Sequence, residues 1–240
     1  AGGTGRLIAS VRTQAYYSGN GFRMPVKGLL PVAAVMLCLW VSAAGAALST
    51  MHIDADGVEI KVYAYVPDHC HNPDLLFVFH GLNRKAKSLR RKAMIPADRY
   101  CLAVYAPLFD KDRFPNWRYH RAGVFKGNKV QPPSRWTGPL LQALIDSIRE
   151  VHGANDARLF LFGHSAGAQF LSRVTAYSPI TSVERIVLAN PSLYVRASAD
   201  EPVPNGFSSL ADRFEELRRL KRYVAQPVTV YLGQQDLGQK

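Results

Sequence analysis

From Leu48 onward the apolar positions follow two periods in turn. "LSTMHID" and "VEIKVYAYVP" alternate apolar with polar residues on either side of "ADG", a pattern that predicts an antiparallel hairpin. "LLFVFHG" and "CLAVYAP" are unbroken apolar runs of strand length, as expected of strands buried on both faces. Between them Ser88 to Asp98 reads as a helix interrupted by Pro96. "TGPLLQALIDSIREVHG" places Leu141, Leu144, Ile145, Ile148 and Val151 on one helical face, with Thr137 as N-cap and Gly153 beyond the end. The rest repeats the alternation: "RLFLF" a strand, "AGAQFLSRVTAY" a helix, "ERIVLAN" a strand, "SLADRFEELRRLKRYVA" a helix, "PVTVYLG" a strand. A hairpin followed by strand-helix units predicts three layers around a mostly parallel α/β sheet.

One short stretch carries chemistry. Gly163-His164-Ser165-Ala166-Gly167 has the G-x-S-x-G pattern and falls between a predicted strand and a predicted helix, the context that lifts a serine onto a sharp turn as a nucleophile. The small residues Gly163, Ala166, Gly167 and Ala168 let the two backbones approach closely. At the start of the helix the N–H of Ala166 is one expected oxyanion donor. His80-Gly81 ends an earlier strand, and the turn at Gly81 leaves the N–H of Leu82 as a second donor, with His80 itself a hydrogen-bonding structural residue. Asp236 follows the strand ending near Leu232 and stands where an acid could orient an imidazole.

"VFHGLNRKAKSLR", "LFGHSAGAQFLSRV" and "YLGQQD" resemble bacterial exported α/β-hydrolases of the poly(hydroxyalkanoate)-depolymerase-like esterase type, over about Cys70 to Asp236. The resemblance implies the α/β-hydrolase fold, Ser165 as nucleophile, Asp236 as acid, and Leu82 with Ala166 as oxyanion donors. It also implies a histidine on the loop after a further strand, followed by a closing helix. This chain ends at Lys240, so that strand, its helix and the histidine are expected beyond it. His52, His69, His71 and His152 fall in the hairpin or in turns away from strand carboxyl ends, and His164 lies in the elbow itself. His120, in the long segment from Leu108 to Arg135, is the one alternative base.

The amino end changes the picture of domains. "MPVKGLLPVAAVMLCLWVSAAGAALS" has a positive start at Lys27, an apolar run from Leu29 to Val41 and the small-residue site Ala44-Gly45-Ala46. Residues 24–46 therefore read as a signal peptide, residues 1–23 as upstream sequence foreign to the mature protein, and residues 47–240 as one hydrolase domain. An uncleaved anchor is the alternative. Export places Cys70 and Cys101 where disulfides persist. They stand before strands expected side by side, so a bridge is predicted, with two core fillers as the alternative.

Charge changes less. The formal net charge is +12, but four cations precede Ala47 and no nucleic-acid-binding signature accompanies the rest. The segment "FDKDRFPNWRYHRAGVFKGNKVQPPSRW" interleaves six aromatics with cations. It suits either an aromatic cleft that draws carboxylate-bearing substrates or a lid packed on itself. The expected activity is hydrolysis of a small-molecule or polymeric ester by an exported enzyme, with no metal or organic cofactor and no stable membrane insertion after cleavage. A peptidase or acyltransferase of the same fold, or a binding protein without catalysis, are the alternatives.

Overall fold

The computed structural model describes residues 47–127 and 129–234. The upstream segment, residues 1–23, and the signal-like stretch, residues 24–46, lie outside the described residues.

Strands β1 (Ala47–Ala55) and β2 (Val58–Val66) form the antiparallel hairpin. Asp56 and Gly57 both take left-handed backbone, φ 53° and 76°, and the Gly57 N–H donates to the Asp54 carboxylate at 3.0 Å. Two positive φ values match the strand twist, which is why the turn falls on Asp-Gly. Strand β3 (Asp74–Phe79), helix α1 (Ala86–Tyr100) and strand β4 (Leu102–Pro107) follow. After a long segment come α2 (Thr137–His152), β7 (Leu159–His164), α3 (Ala166–Tyr177), β8 (Val183–Ala189), α4 (Arg213–Val224) and β9 (Val228–Tyr231). The long segment itself carries a two-stranded ribbon, β5 (Phe125–Lys126) with β6 (Lys129–Val130), and a 3₁₀ turn at Pro133–Arg135.

The main sheet runs β1-β2-β4-β3-β7-β8-β9. β2 joins β4 antiparallel, and β4, β3, β7, β8 and β9 are mutually parallel. The connection leaving β3 goes to one side and that leaving β7 to the other, so a crevice opens between their carboxyl ends, where open α/β sheets bind ligands.

Helix α1 packs on one face, against β2, β3 and β4; α2 and α3 pack on the other, and α4 packs on α3. The α2–α3 face holds the larger core. Leu141, Leu144, Ile145 and Ile148 of α2 and Phe170, Leu171 and Val174 of α3 bury against Phe77, Phe79, Leu161, Ile186 and Leu188. The residues that form α2 are thus the ones its apolar period singles out, save Val151, which the helix's last turn carries past the sheet into solvent. Two other details differ from the sequence reading. Thr137 is not the N-cap: Trp136 holds that position, because the Thr137 hydroxyl is engaged with the Arg118 carbonyl at 2.7 Å. α1 starts earlier and runs through Pro96 to Tyr100, ending in a left-handed Cys101 whose N–H donates to the Ala97 carbonyl.

Cys70 and Cys101 form a disulfide with Cα atoms 5.5 Å apart. Neighbouring parallel strands bring them together, since Asp74 of β3 lies opposite Leu102 of β4. In the segment between β4 and α2, Phe109, Phe114 and Tyr119 are fully buried, with Phe109 stacked on Tyr119 at 5.4 Å and edge-on to Phe114 at 4.9 Å. The Trp136 indole donates to the Gln131 carbonyl at 2.8 Å. These aromatics belong to the core on the α2–α3 face rather than to the wall of a cleft.

Candidate active site

β7 ends at His164, and the chain reverses into α3 through Ser165, whose backbone stands at φ 55° and ψ −116°. Left-handed backbone of this kind is strained for a residue with a side chain and persists only where the surroundings fix it. They do so here: the Ser165 N–H donates to the Ala189 carbonyl of β8 at 2.9 Å, and its own carbonyl accepts from the Gln169 N–H at 3.0 Å. A Cβ at Gly163 would overlap the Gly167 backbone, and one at Gly167 would overlap the Phe79 carbonyl at the end of β3. Those two glycines let α3 start close against both strands, with the serine half-exposed at the crevice.

The loop after β3 forms the facing wall. A Cβ on Gly81 would stand 3.9 Å from both the Ser165 Cβ and the His164 carbonyl oxygen, so the Gly81 backbone runs directly beside the serine. Among the described residues neither the Leu82 N–H nor the Ala166 N–H donates to an acceptor. Ala166 opens α3 and has no intrahelical acceptor. Leu82 and Ser165 line one cleft, and Ala166 follows the strained serine directly.

His80 is buried and fully used. Its Nε2 accepts from the Phe109 N–H at 3.2 Å, which places the proton on Nδ1, and Nδ1 donates to the Gly81 carbonyl at 3.1 Å. The Tyr119 hydroxyl donates to the His80 carbonyl at 2.7 Å. Burial is the main reason its pKa is pushed down to about 4, so the ring is neutral at pH 7 and acts as a strut for the Gly81 turn. The sequence indicated His80 as structural; Tyr119 as its support gave no signal, because the two lie far apart in the chain.

No histidine nitrogen among the described residues reaches the Ser165 hydroxyl. His120 is half-buried, and its Nε2 is shielded from solvent without a hydrogen-bond partner there. Its pKa is held down to about 4, first by burial and then by Arg84, Arg173 and Arg121. Asp236 lies outside the described residues. The chain leaving β9 is directed toward this end of the sheet, with the Gly233 N–H donating to Asn190 Oδ1 at 2.8 Å.

A cleft of about 310 Å³ opens in front of Ser165, bounded by Gly81, Leu82 and His164 on one side and by Lys85, Leu89 and Lys92 on the other. The part played by α1 was legible only as the i, i+4, i+7 spacing of those last three residues. Among the described residues no cluster of three His, Cys, Asp or Glu side chains could hold a metal ion.

No family model matches the chain, and no curated protein matches it in sequence. Solved structures do. A poly(aspartic acid) hydrolase from Sphingomonas sp. KT-1 superposes with a TM-score of 0.69 at 27% identity, covering 80% of this chain and 72% of that one. A poly(3-hydroxybutyrate) depolymerase from Bordetella parapertussis gives 0.68 at 25% identity, over 80% and 67%. An S-formylglutathione hydrolase from Staphylococcus aureus gives 0.50 at 16%, over 80% and 78%, a likeness of fold alone. With a mostly parallel sheet flanked by helices, an antiparallel hairpin at its amino-terminal edge and these likenesses, the chain has the α/β-hydrolase fold.

Proposed function

We propose that the protein is a serine hydrolase that cleaves carboxylic esters, with Ser165 as nucleophile. The observation that carries the reading is the strained Ser165 beside two amides, Leu82 and Ala166, that have no acceptor among the described residues. In this reading Ser165 Oγ attacks the carbonyl carbon of the ester, and the carbonyl oxygen takes its negative charge toward those two amides. A histidine held by Asp236 accepts the serine proton and returns it to the departing alcohol. Water then adds to the acyl-enzyme by the same route and releases the acid. His120 is the weaker base: its charged form is disfavoured by the cations around it, and no contact joins it to Ser165.

A second reading, hydrolysis of amides, is favoured by the poly(aspartic acid) hydrolase, whose substrate is amide-linked; the depolymerase neighbour favours the ester. Residues 47–240 then form one exported domain released from the signal at Ala46. The Cys70–Cys101 bridge supports that placement, and among the described residues no helix is long and apolar enough to cross a membrane.

The test is labelling by a fluorophosphonate, which needs an activated serine. The protein is expected to label, with Ser165→Ala blank. Equal labelling of Ser165→Ala would remove the serine from the mechanism. Loss of labelling in His120→Ala would return the base to His120.

A further inference from the structure

The cleft in front of Ser165 is bordered by one sign of charge. Lys85 at the N-cap of α1 and Lys92 seven residues on project from one side of that helix, about 10 Å apart along its axis. No carboxylate lines the cleft among the described residues.

Behind this wall the cations continue. Arg84, between the cleft residues Asn83 and Lys85, takes left-handed backbone at φ 56° and lays its guanidinium over the Tyr119 ring, 4.3 Å from the centroid. Its Nη2 donates to the Phe114 carbonyl at 3.0 Å and reaches Asn116 Oδ1 at 3.5 Å. Its Nε and Nη1 are shut off from solvent without an acceptor among the described residues. Arg173, two turns into α3 and buried, shares its Nη1 between the carbonyls of Gln169 at 3.1 Å and His120 at 3.3 Å, and its Nε too has no acceptor there. Asp110 acts on Arg84 from a distance, but its carboxylate is already held by Arg113 at 2.8 Å.

Buried charge without a counter-charge is poorly screened, and a cleft with low-dielectric walls concentrates its field. The half-buried guanidinium of Arg84, the buried one of Arg173 and the two ammoniums on the wall make the space before Ser165 favourable for anions. We infer that the substrate cleaved at Ser165 carries carboxylates beside its scissile carbonyl, received by Lys85 and Lys92 in the positive field of Arg84 and Arg173. The spacing of the two lysines suits a chain with repeated carboxylates better than a single small acid. This inference rests on Ser165 being the nucleophile only for the cleavage, not for the binding.

The test has two arms. In the first, p-nitrophenyl butyrate is compared with mono-p-nitrophenyl succinate, esters of matched length that differ by a carboxylate. The wild type is expected to favour the succinate in kcat/KM, and Lys85→Glu with Lys92→Glu to lower the succinate-to-butyrate ratio about tenfold or more. In the second, poly(aspartate) is titrated calorimetrically into the Ser165→Ala protein. Binding that weakens with salt and is lost in the Lys85→Glu, Lys92→Glu background is expected. A charge-matched Lys87→Glu, Lys221→Glu protein should keep it, since both of those lysines are exposed and outside the cleft. If no ester is cleaved, the nucleophile reading fails and the second arm still decides. Absence of poly(aspartate) binding, equal loss in the control pair, or an unchanged ester ratio overturns the carboxylate site.

Discussion

The two faces of the sheet are built unequally. On the α2–α3 face, helix residues at every turn meet strand residues, and the aromatic cluster of Phe79, Phe109, Tyr119 and Phe170 continues that core up to the elbow. On the other face, among the described residues, α1 alone covers β2, β3 and β4 with a small cluster around Val78, Ala93, Ala97 and Val104. Beyond α1 an apolar groove of about 530 Å³ runs over Leu76, Phe160, Phe162 and Val187, with Arg185 at its side. The difference teaches where the candidate site gets its rigidity. Ser165 rides on α3, and the Gly81 turn is braced by His80 and Tyr119, so both walls of the crevice at Ser165 are anchored to the densely packed face. The lysines of the cleft sit on α1, the element of the sparse face.

Truncating a side chain on each face tests this directly. Phe170→Ala should cost about 3–5 kcal/mol in denaturant unfolding, because it empties space at the centre of the aromatic cluster. Phe162→Ala, half-exposed in the groove, should cost about 1 kcal/mol or less. Equal losses would erase the contrast between the faces.

The disulfide joins the ends of β3 and β4, strands shared by both faces, and closes a loop with a sequence separation of 31. Replacing Cys70 and Cys101 together with serine should lower stability by about 3–4 kcal/mol if the bridge acts by restricting the unfolded chain. A guanidinium titration that places both proteins at one midpoint would show that strand pairing alone holds this edge.

Acid should act through the packed face. His80 titrates near 6.5 when unfolded and about 4 when folded, with burial as the main cause. Above pH 6.5 the ring is neutral in both states and adds no pH dependence. As pH falls below 6.5 the unfolded chain takes up the proton first, so stability declines, by about 3 kcal/mol in all once pH passes below 4. His120 and His152, also lowered by burial, act in the same direction. Unfolding midpoints measured at pH 7 and pH 5 should therefore differ, and His80→Gln should reduce the difference; a flat profile would mean that His80 is open to protons. The smallest expected effect belongs to Tyr119→Phe, which leaves the buried His80 carbonyl without its donor and should cost about 1–2 kcal/mol. It should also slow fluorophosphonate labelling by loosening the Gly81 turn.

Much of this was legible before the fold. The sequence pattern located the strands and helices of the main sheet, most plainly where strands are buried on both faces and where α2 carries one apolar stripe. The G-x-S-x-G stretch located the elbow because only small residues fit where α3 meets β3 and β7. The interior of the segment from Leu108 to Arg135 was not legible, since its aromatics obey no period: Phe109 and Phe114 bury through irregular turns that tertiary contacts alone fix. The charge of the cleft was hidden for a different reason. Lys85, Lys92, Arg84 and Arg173 look like ordinary surface cations in the sequence, and only the fold draws two of them to the rim and two behind it.

The left-handed backbone of Ser165 sets the interests of folding and of chemistry against each other at one residue. Glycine accepts φ 55° without the steric penalty that serine bears there. A lineage released from any need for the hydroxyl would therefore gain stability by losing it, on the order of 1 kcal/mol or more in a Ser165→Gly protein. Retention of serine at such a position, across sequences that descend from this one, would be a record of selection for activity that can be read without ever identifying the substrate.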